Sequence, residues 1–178
     1  MPADKPGLRP VKLVCGLLFN KAVELDAVDF RLSSLLGPVD LRSEIFDFKF
    51  TRYYNDEMGD NLAKRFYSFQ NLVMPDDLPD IKTSTIEIEA EYACDGRRRI
   101  NIDPGYLEES KLVLASTKNF SHRIYLRDNI WAEVTMRFSH GEFVRHEWTY
   151  PDWSQPLGMD FLKQARDIYR SQLGSAEI

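Results

Sequence analysis

The hydrophobic and polar positions in the first half of the chain change period several times, and each period predicts an element. A nearly continuous apolar run from Val11 to Phe19 is typical of a strand that is buried on both faces. Apolar residues then recur at helical spacing from Leu25 to Leu36, with Asn20 as the expected cap and Gly37 as the expected end. The pattern therefore predicts a buried strand followed by an amphipathic helix.

The next segments alternate in a way that favours strands, with one ambiguous stretch among them. Val39 to Phe50 and Leu62 to Val73 alternate like two antiparallel strands, and a polar loop over 53–61 separates them. The stretch from Asp76 to Gly96 alternates like a strand near its end, but its length and its bracketing residues favour a helix. Arg97 to Ile102 then returns as a strand.

The predicted order of strand, helix, strand, strand, helix, strand is the βαββαβ plan of a ferredoxin-like core. Asp103-Pro104-Gly105 predicts a turn after the last core strand, because proline fixes φ and glycine tolerates positive φ. Glu108 to Thr117 fits either a short helix or a strand, and the alternation from His122 to Thr149 predicts an antiparallel β-meander. Apolar spacing from Met159 to Leu173 predicts a C-terminal helix. The predicted fold class is therefore α+β.

Composition adds a domain organisation and a compartment to this picture. With 178 residues, 43% of them hydrophobic and 29% charged, the chain fits one globular domain over 11–178, preceded by a flexible, proline-rich arm over 1–10. The start resembles no secretory signal, no apolar run could span a membrane, and Cys15 and Cys94 lack pair spacing. We therefore expect a cytoplasmic protein. A net charge of -5 argues against nonspecific nucleic-acid binding.

Short motifs argue against several enzyme classes. The sequence has no G-x-x-x-x-G-K-[ST] phosphate loop, no G-x-G-x-x-G loop and no G-x-S-x-G elbow. It also lacks paired Cys-x-x-Cys and H-E-x-x-H zinc motifs. The motifs thus identify no cofactor, and no metal site is predicted.

A change of charge sign along the chain marks the candidate binding residues. Residues 76–95 hold seven acidic residues and one Lys, whereas residues 97–127 hold seven basic and three acidic residues. Arg and Lys suit phosphate or carboxylate groups, and tyrosines can contact the rest of a ligand. The alternative is that these cations pair with the preceding acidic helix or face solvent. The candidate ligand-binding residues are Lys111, Lys118, Arg123, Tyr54 and Tyr106.

His122 is the candidate for proton transfer. A histidine titrates near neutral pH, and Asp103 or Glu133 could orient its ring. The competing interpretation is a hydrogen-bonding or surface histidine at the start of a strand. The candidate catalytic set is therefore His122, Asp103 and Glu133.

Several long segments resemble one family. They include GPVDLRSEIFDFKFTRYYNDEMG and the successive segments NIDPGYL, KLVLAST and HRIYL. Together the matching segments extend from about Lys12 to Leu173. These segments are similar to the bacterial and archaeal domain-of-unknown-function family numbered 4416. The resemblance implies no activity and no catalytic residues. Members often carry the label "GTP-binding protein", but this sequence lacks the phosphate loop and the base-reading motif which that label requires.

Two functions of different classes follow from these residues. The first is binding of a phosphate- or carboxylate-bearing small molecule, for example a nucleotide, at a cationic site that contains tyrosines. The second is a noncatalytic interaction or assembly module, in which sheet edges and the acidic helix meet a partner or a second copy of the chain. The first predicts that Asp103, His122, Arg123 and Glu133 converge on one cavity, and the second predicts that their face is covered by a partner.

Overall fold

Strand β1 (Val11–Asn20) lies in the interior of the sheet, with a strand on each side, and its two buried faces explain its nearly continuous apolar sequence. Leu13, Cys15 and Leu17 belong to the core on one face, whereas Val14 belongs to the core on the other. The computed structural model describes residues 7–176.

The described residues form nine strands and five α-helices. The remaining strands are β2 Val39–Arg42, β3 Phe46–Asp47, β4 Leu62–Val73, β5 Ile100–Leu107, β6 Lys111–Ser116, β7 Arg123–Arg127, β8 Ile130–Ser139 and β9 Glu142–Arg145. The helices are α1 Leu25–Leu36, α2 Asn55–Met58, α3 Leu78–Glu91, α4 Pro151–Ser154 and α5 Pro156–Ala176, and a 3-10 turn, Pro75–Asp77, precedes α3.

All strand pairs in the sheet are antiparallel. The order is β2-β4-β1-β5-β6-β8-β7, with β3 also pairing β4 and β9 also pairing β8. The predicted α+β class is confirmed as a mixed fold with one nine-stranded antiparallel sheet.

Helices cover both faces of this sheet. On one face, α1 packs through Val28 and Leu32, and α3 packs through Ile88. On the other face, Trp153 of α4 and Phe161 of α5 pack against the sheet. The Phe66 ring lies 4.1 Å from the Trp153 ring, centroid to centroid, and belongs to this second core.

The ambiguous segments are settled by tertiary packing. The segment from Asp76 to Gly96 is helical, as predicted, since α3 covers 78–91. Residues 111–116, left open between helix and strand, form β6 because Leu112 and Leu114 are buried against β5 and β8.

The predicted turn at Asp103-Pro104-Gly105 was wrong, because all three residues lie inside β5. At Pro104 the assigned partner is Cys15 of β1, and pairing with β6 begins only at Gly105, so a missing N–H is tolerated there. A Cβ on Gly105 would lie 2.2 Å from the Val113 carbonyl oxygen. Glycine is therefore required here for the close approach of β6, and its position is not a turn.

Several element bounds also differ from the prediction. Asn20 is the last residue of β1 and does not cap α1, whose N-cap is Glu24. The strand predicted over 39–50 is broken into β2 and β3, and the polar loop over 53–61 contains the short helix α2. The C-terminal helix begins at Pro156, three residues earlier than predicted, because proline is well tolerated in a first turn.

Strands β5 and β6 pair over only three residues and then separate. Pairing is assigned at Gly105, Tyr106 and Leu107, so the first half of β5 has no strand neighbour on that side among residues 7–176. Two side chains from α3 bond the backbone of Ile102 there: Glu89 Oε1 accepts from its N–H at 2.7 Å, and Lys82 Nζ donates to its carbonyl at 2.8 Å. Helix α3 therefore supplies the backbone hydrogen bonds that a paired strand would make at Ile102, and the sheet is open beside it.

The chain ends fall partly outside the description. The predicted flexible arm covers 1–10, of which only 7–10 are described, and the Pro10 carbonyl accepts a hydrogen bond from the Tyr169 hydroxyl at 2.8 Å. Within residues 7–176, no helix combines the length and the apolar character needed to cross a bilayer.

Candidate functional site

A cavity of about 660 Å³ opens where β5 and β6 separate. Its walls come from β5, β6, helix α3, the Phe48–Tyr54 segment before α2, and the start of α4. This volume lies within the range of small-molecule sites, roughly 300–1,000 Å³. The splitting of the sheet therefore creates a site large enough for a ligand.

Lys118 and Arg123 lie on one wall of the cavity, and we call this pair the cationic rim. The Lys118 ammonium donates to the Tyr53 hydroxyl and lies 4.5 Å from the centroid of its ring. Arg123 Nη2 donates to the Tyr150 hydroxyl at 2.9 Å, and Nη1 donates to the Lys118 carbonyl at 2.8 Å. Within residues 7–176, Lys118 has no carboxylate partner, so its charge is available to an anion.

Glu133 holds Arg123 in place from behind. Its Oε2 accepts from Arg123 Nε at 3.0 Å and lies 2.9 Å from His122 Nε2. Its Oε1 accepts from the Thr135 hydroxyl at 3.1 Å. Glu133 is buried, so a guanidinium partner compensates a carboxylate that would otherwise be costly to bury.

His122 lies behind Glu133 and does not line the cavity. Its ring stacks on Trp148 at 4.8 Å, and Phe120 packs edge-on against it at 5.2 Å. Trp148 also stacks on His146 at 4.7 Å. The histidine is therefore placed to orient Glu133, and Glu133 in turn orients Arg123.

The structure brings together five of the eight residues predicted as site residues. Tyr54, Asp103, Lys118, Arg123 and Glu133 all line the cavity. The remaining three do not. They are His122, Tyr106, which packs beside Leu78 and Val113, and Lys111, which pairs with Glu108 at 2.9 Å.

Some of the predicted cations follow the alternative of pairing with acidic residues. Arg127 Nη2 donates to Asp80 of α3 at 2.7 Å, and Arg98 forms two 2.8 Å bonds to Glu57. These hydrogen bonds raise the pKa of Arg98 and lower that of Glu57. The cationic character of 97–127 is thus only partly directed at the cavity.

The inner end of the cavity holds a charged pair that the sequence did not reveal. Lys64 of β4 and Asp152 of α4 are both buried, and Nζ lies 2.5 Å from Oδ2. Burial alone would lower the pKa of the Lys64 ammonium, but the charges of Asp152 and Asp103 outweigh burial, and the pKa is raised. Lys64 is therefore a cation at neutral pH. The available signal was a lysine inside a strand that is otherwise largely apolar.

Tyrosine hydroxyls surround the cavity and remain protonated. Burial raises the pKa of Tyr54, and the charge of Asp103 adds to this effect. Burial and the charge of Glu133 raise the pKa of Tyr150 to about 12. Both phenols therefore act as hydrogen-bond donors at neutral pH, and Tyr150 can donate while it accepts from Arg123.

The histidines do not assemble into a metal site in the part of the chain that the structure describes. No group of three or more His, Cys, Asp or Glu side chains there could hold a metal ion. His140 lies on the surface, where its Nδ1 is 2.9 Å from the Ser139 hydroxyl.

The sequence model of one family, described as Domain of unknown function (DUF4416), matches residues 9–169. The chain belongs to this family. The matched span includes every residue that lines the cavity, so the cavity is built entirely from the DUF4416 region. Comparison with curated proteins found no match, and comparison with solved structures found none either.

Proposed function

We propose that this DUF4416 protein binds a small molecule carrying a phosphate or carboxylate group, a nucleotide being one such ligand. The observation that carries the proposal is the cationic rim at a ligand-sized cavity. Lys118 offers a point charge, and Arg123 is held in a fixed orientation by Glu133 and Tyr150. A fixed guanidinium beside a lysine is suited to a phosphate or carboxylate.

Aromatic side chains in the cavity support a ligand with a body larger than its anionic group. Phe48, Phe50, Tyr53 and Tyr54 contribute aromatic surface to the cavity. The Tyr53 and Tyr54 rings pack edge-on at 5.0 Å, and the Lys118 ammonium lies over the Tyr53 ring. Sites of this kind combine apolar walls with a few polar groups that fix the orientation of the ligand.

The geometry supports binding more than it supports proton transfer by His122. The ring is bonded to Glu133 and is covered by Trp148 and Phe120. A general base must come within hydrogen-bonding reach of the proton that it removes. We therefore give His122 and Glu133 the role of positioning Arg123.

Thermal unfolding with a panel of nucleotides, sugar phosphates and inorganic phosphate tests this proposal. A ligand at one hundred times its Kd stabilises by about 2.7 kcal/mol, and a chain of this size gains roughly 2–4 °C in Tm per kcal/mol. Lys118→Ala is expected to remove most of this rise, because it deletes a cation that has no carboxylate partner in the described part of the chain.

Lys163→Ala is the matched control, since Lys163 is exposed on α5 and does not line the cavity. It should respond to ligand like the unmodified chain. The proposal fails if no phosphate-bearing ligand raises Tm, or if the rise is the same in Lys118→Ala.

The second candidate is assembly with another copy of the chain, and strand β7 favours it. This strand ends the order of the sheet, so one of its edges has no partner within residues 7–176. Ile124 is 69% exposed and Tyr125 56% exposed. An exposed apolar edge strand can pair with the same strand of a second copy.

We also infer a ferredoxin-like core within the larger sheet. The neighbours β2, β4, β1 and β5 alternate in direction, and α1 and α3 join them on one face. This order supports the βαββαβ plan, with β6–β9 as the meander. A cytoplasmic location stays a proposal, supported by the free thiols of Cys15 and Cys94.

A further inference from the structure

The inner end of the cavity has polar groups with unused hydrogen-bonding capacity. Asp152 is 2% exposed, and its Oδ2 lies 2.5 Å from the Lys64 ammonium, which is its partner. A carboxylate offers about four acceptor positions on its two oxygens, and a single ion pair fills one of them. Asp152 therefore keeps the capacity to accept a hydrogen bond from a ligand.

Lys64 has donors to spare at the same place. Its ammonium carries three N–H groups, and the ion pair with Asp152 engages at most one. Nζ also lies 5.6 Å from the Phe48 ring and 5.7 Å from the Phe66 ring, and these contacts hold the charge in place without using its donors. The side chain lines the cavity, so a ligand can reach it.

Asp103 adds an acceptor next to this pair. Its Oδ2 accepts from Asn101 Nδ2 at 3.0 Å. Its Oδ1 lies 3.7 Å from Lys82 Nζ, which is too long for a hydrogen bond. With the side chain 31% exposed, Oδ1 remains free to accept from a ligand.

The charges at the inner end decide which ligand group fits. A second anion would be repelled by Asp103 and Asp152. A protonated amine would be attracted by these carboxylates, but it has no lone pair and would leave the Lys64 donors without a partner. A hydroxyl group can accept from Lys64 and donate to a carboxylate in the same position. Neutral hydroxyls therefore fit this end, whereas an anion fits the cationic rim.

We propose that Lys64, Asp103 and Asp152 form a hydroxyl-binding subsite, so that the ligand is a phosphorylated polyol such as a sugar phosphate or the ribose phosphate of a nucleotide. This inference rests on the proposed function, because the rim must first hold the phosphate. The polyol would then extend along the aromatic wall, and its hydroxyls would meet the inner carboxylates.

Calorimetric titration with three phosphate esters of similar length tests the inference. The probes are ribose 5-phosphate, pentyl phosphate and 5-aminopentyl phosphate. Ribose 5-phosphate is expected to bind at least about tenfold more tightly than the other two, since it alone satisfies both donors and acceptors of the subsite. Asp103→Asn, which keeps the shape of the side chain, should reduce that preference, and Lys118→Ala should weaken all three probes.

The outcomes separate the two proposals. Equal affinity for ribose 5-phosphate and pentyl phosphate overturns the hydroxyl subsite but keeps the anion site. Tighter binding of the aminoalkyl ester overturns the hydroxyl subsite in favour of amine recognition. Failure of all three to bind overturns the hydroxyl subsite, and it overturns the anion site as well if no ligand of the thermal panel raises Tm. Asp160→Asn, on the exposed surface of α5, is the control and should preserve the preference for ribose 5-phosphate. The Tm values of Asp160→Asn and Asp103→Asn verify that both variants fold.

Discussion

At the scale of single residues, Gly16 determines whether Lys64 can occupy its buried position. The lysine side chain crosses the β1 backbone at this glycine. A Cβ there would lie 2.8 Å from Lys64 Cε and 3.5 Å from Trp153 Cζ2. Gly16 therefore leaves the space that Lys64 occupies when it reaches Asp152.

We expect Gly16→Ala to displace Lys64 from Asp152 and to lower the free energy of unfolding by about 1–3 kcal/mol, as overpacked cores do. Chemical denaturation measures the change. Gly174→Ala is the control, because nothing lies within 4 Å of that Cβ and alanine favours a helix. If Gly16→Ala is as stable as the unmodified chain, the crossing of Lys64 over Gly16 is not tight.

Charge and residue type identified several cavity residues from sequence, but not the buried pair. Asp103, Lys118, Arg123 and Glu133 were found because they cluster along the chain near the cationic segment. Lys64 and Asp152 lie far apart in the sequence, and only the packing of α4 on β4 joins them. A long-range pair of this kind leaves no local pattern.

At the scale of elements, α3 substitutes for a strand beside β5. The segment 76–96, whose periodicity was ambiguous, packs as a helix. Its Glu89 nevertheless accepts a hydrogen bond from the backbone of β5, as a neighbouring strand would. The turn predicted at Asp103 failed for a related reason. Proline and glycine are tolerated in β5 where the sheet splits and where β6 approaches closely. Both features depend on a neighbouring element, so local propensity could not predict them.

We expect Glu89→Ala to cost about 1–3 kcal/mol of stability, because it leaves the buried Ile102 N–H without an acceptor. Glu89→Gln retains an acceptor and serves as the matched comparison. Amide exchange at Ile102 should accelerate in the alanine variant only. Equal exchange in both variants would contradict the bonding role of Glu89.

The same pair of variants has a pH signature. Burial raises the pKa of Glu89 above its ordinary value, so the folded state holds the proton more strongly than the unfolded state. This contribution to stability is favourable only in acid and is lost as the pH rises from the ordinary pKa through the raised one. Glutamine does not titrate, and the Glu89→Gln variant should therefore gain stability relative to the unmodified chain over that window. A pH-independent difference would contradict the raised pKa.

At the scale of the whole molecule, the exposed edge of β7 is relevant to whether the chain is a monomer or a dimer in solution. Exposed apolar side chains at Ile124, Tyr125 and Leu126 follow one another on this edge. The alternation of 122–138 predicted a hairpin correctly, with Asp128 and Asn129 in its turn at positive φ. The position of β7 at the end of the order could not be predicted, because it depends on pairing across the whole sheet.

If two copies pair through β7, light scattering should report a dimer that Ile124→Glu converts to a monomer, since a charge then faces the apolar edge. Phe30→Glu is the control, because Phe30 is 76% exposed on α1, away from β7. It should leave the dimer intact. A monomer at all concentrations, or a dimer that survives Ile124→Glu, rejects pairing through this strand.

Arg123 begins strand β7, so one short strand carries both a residue of the cationic rim and the edge that could pair. A dimer formed through that edge would restrict the backbone that positions the guanidinium. Ligand occupancy and self-association would then be thermodynamically linked. By reciprocity, the factor by which dimerisation changes the affinity for ligand equals the factor by which the ligand changes the dimerisation constant.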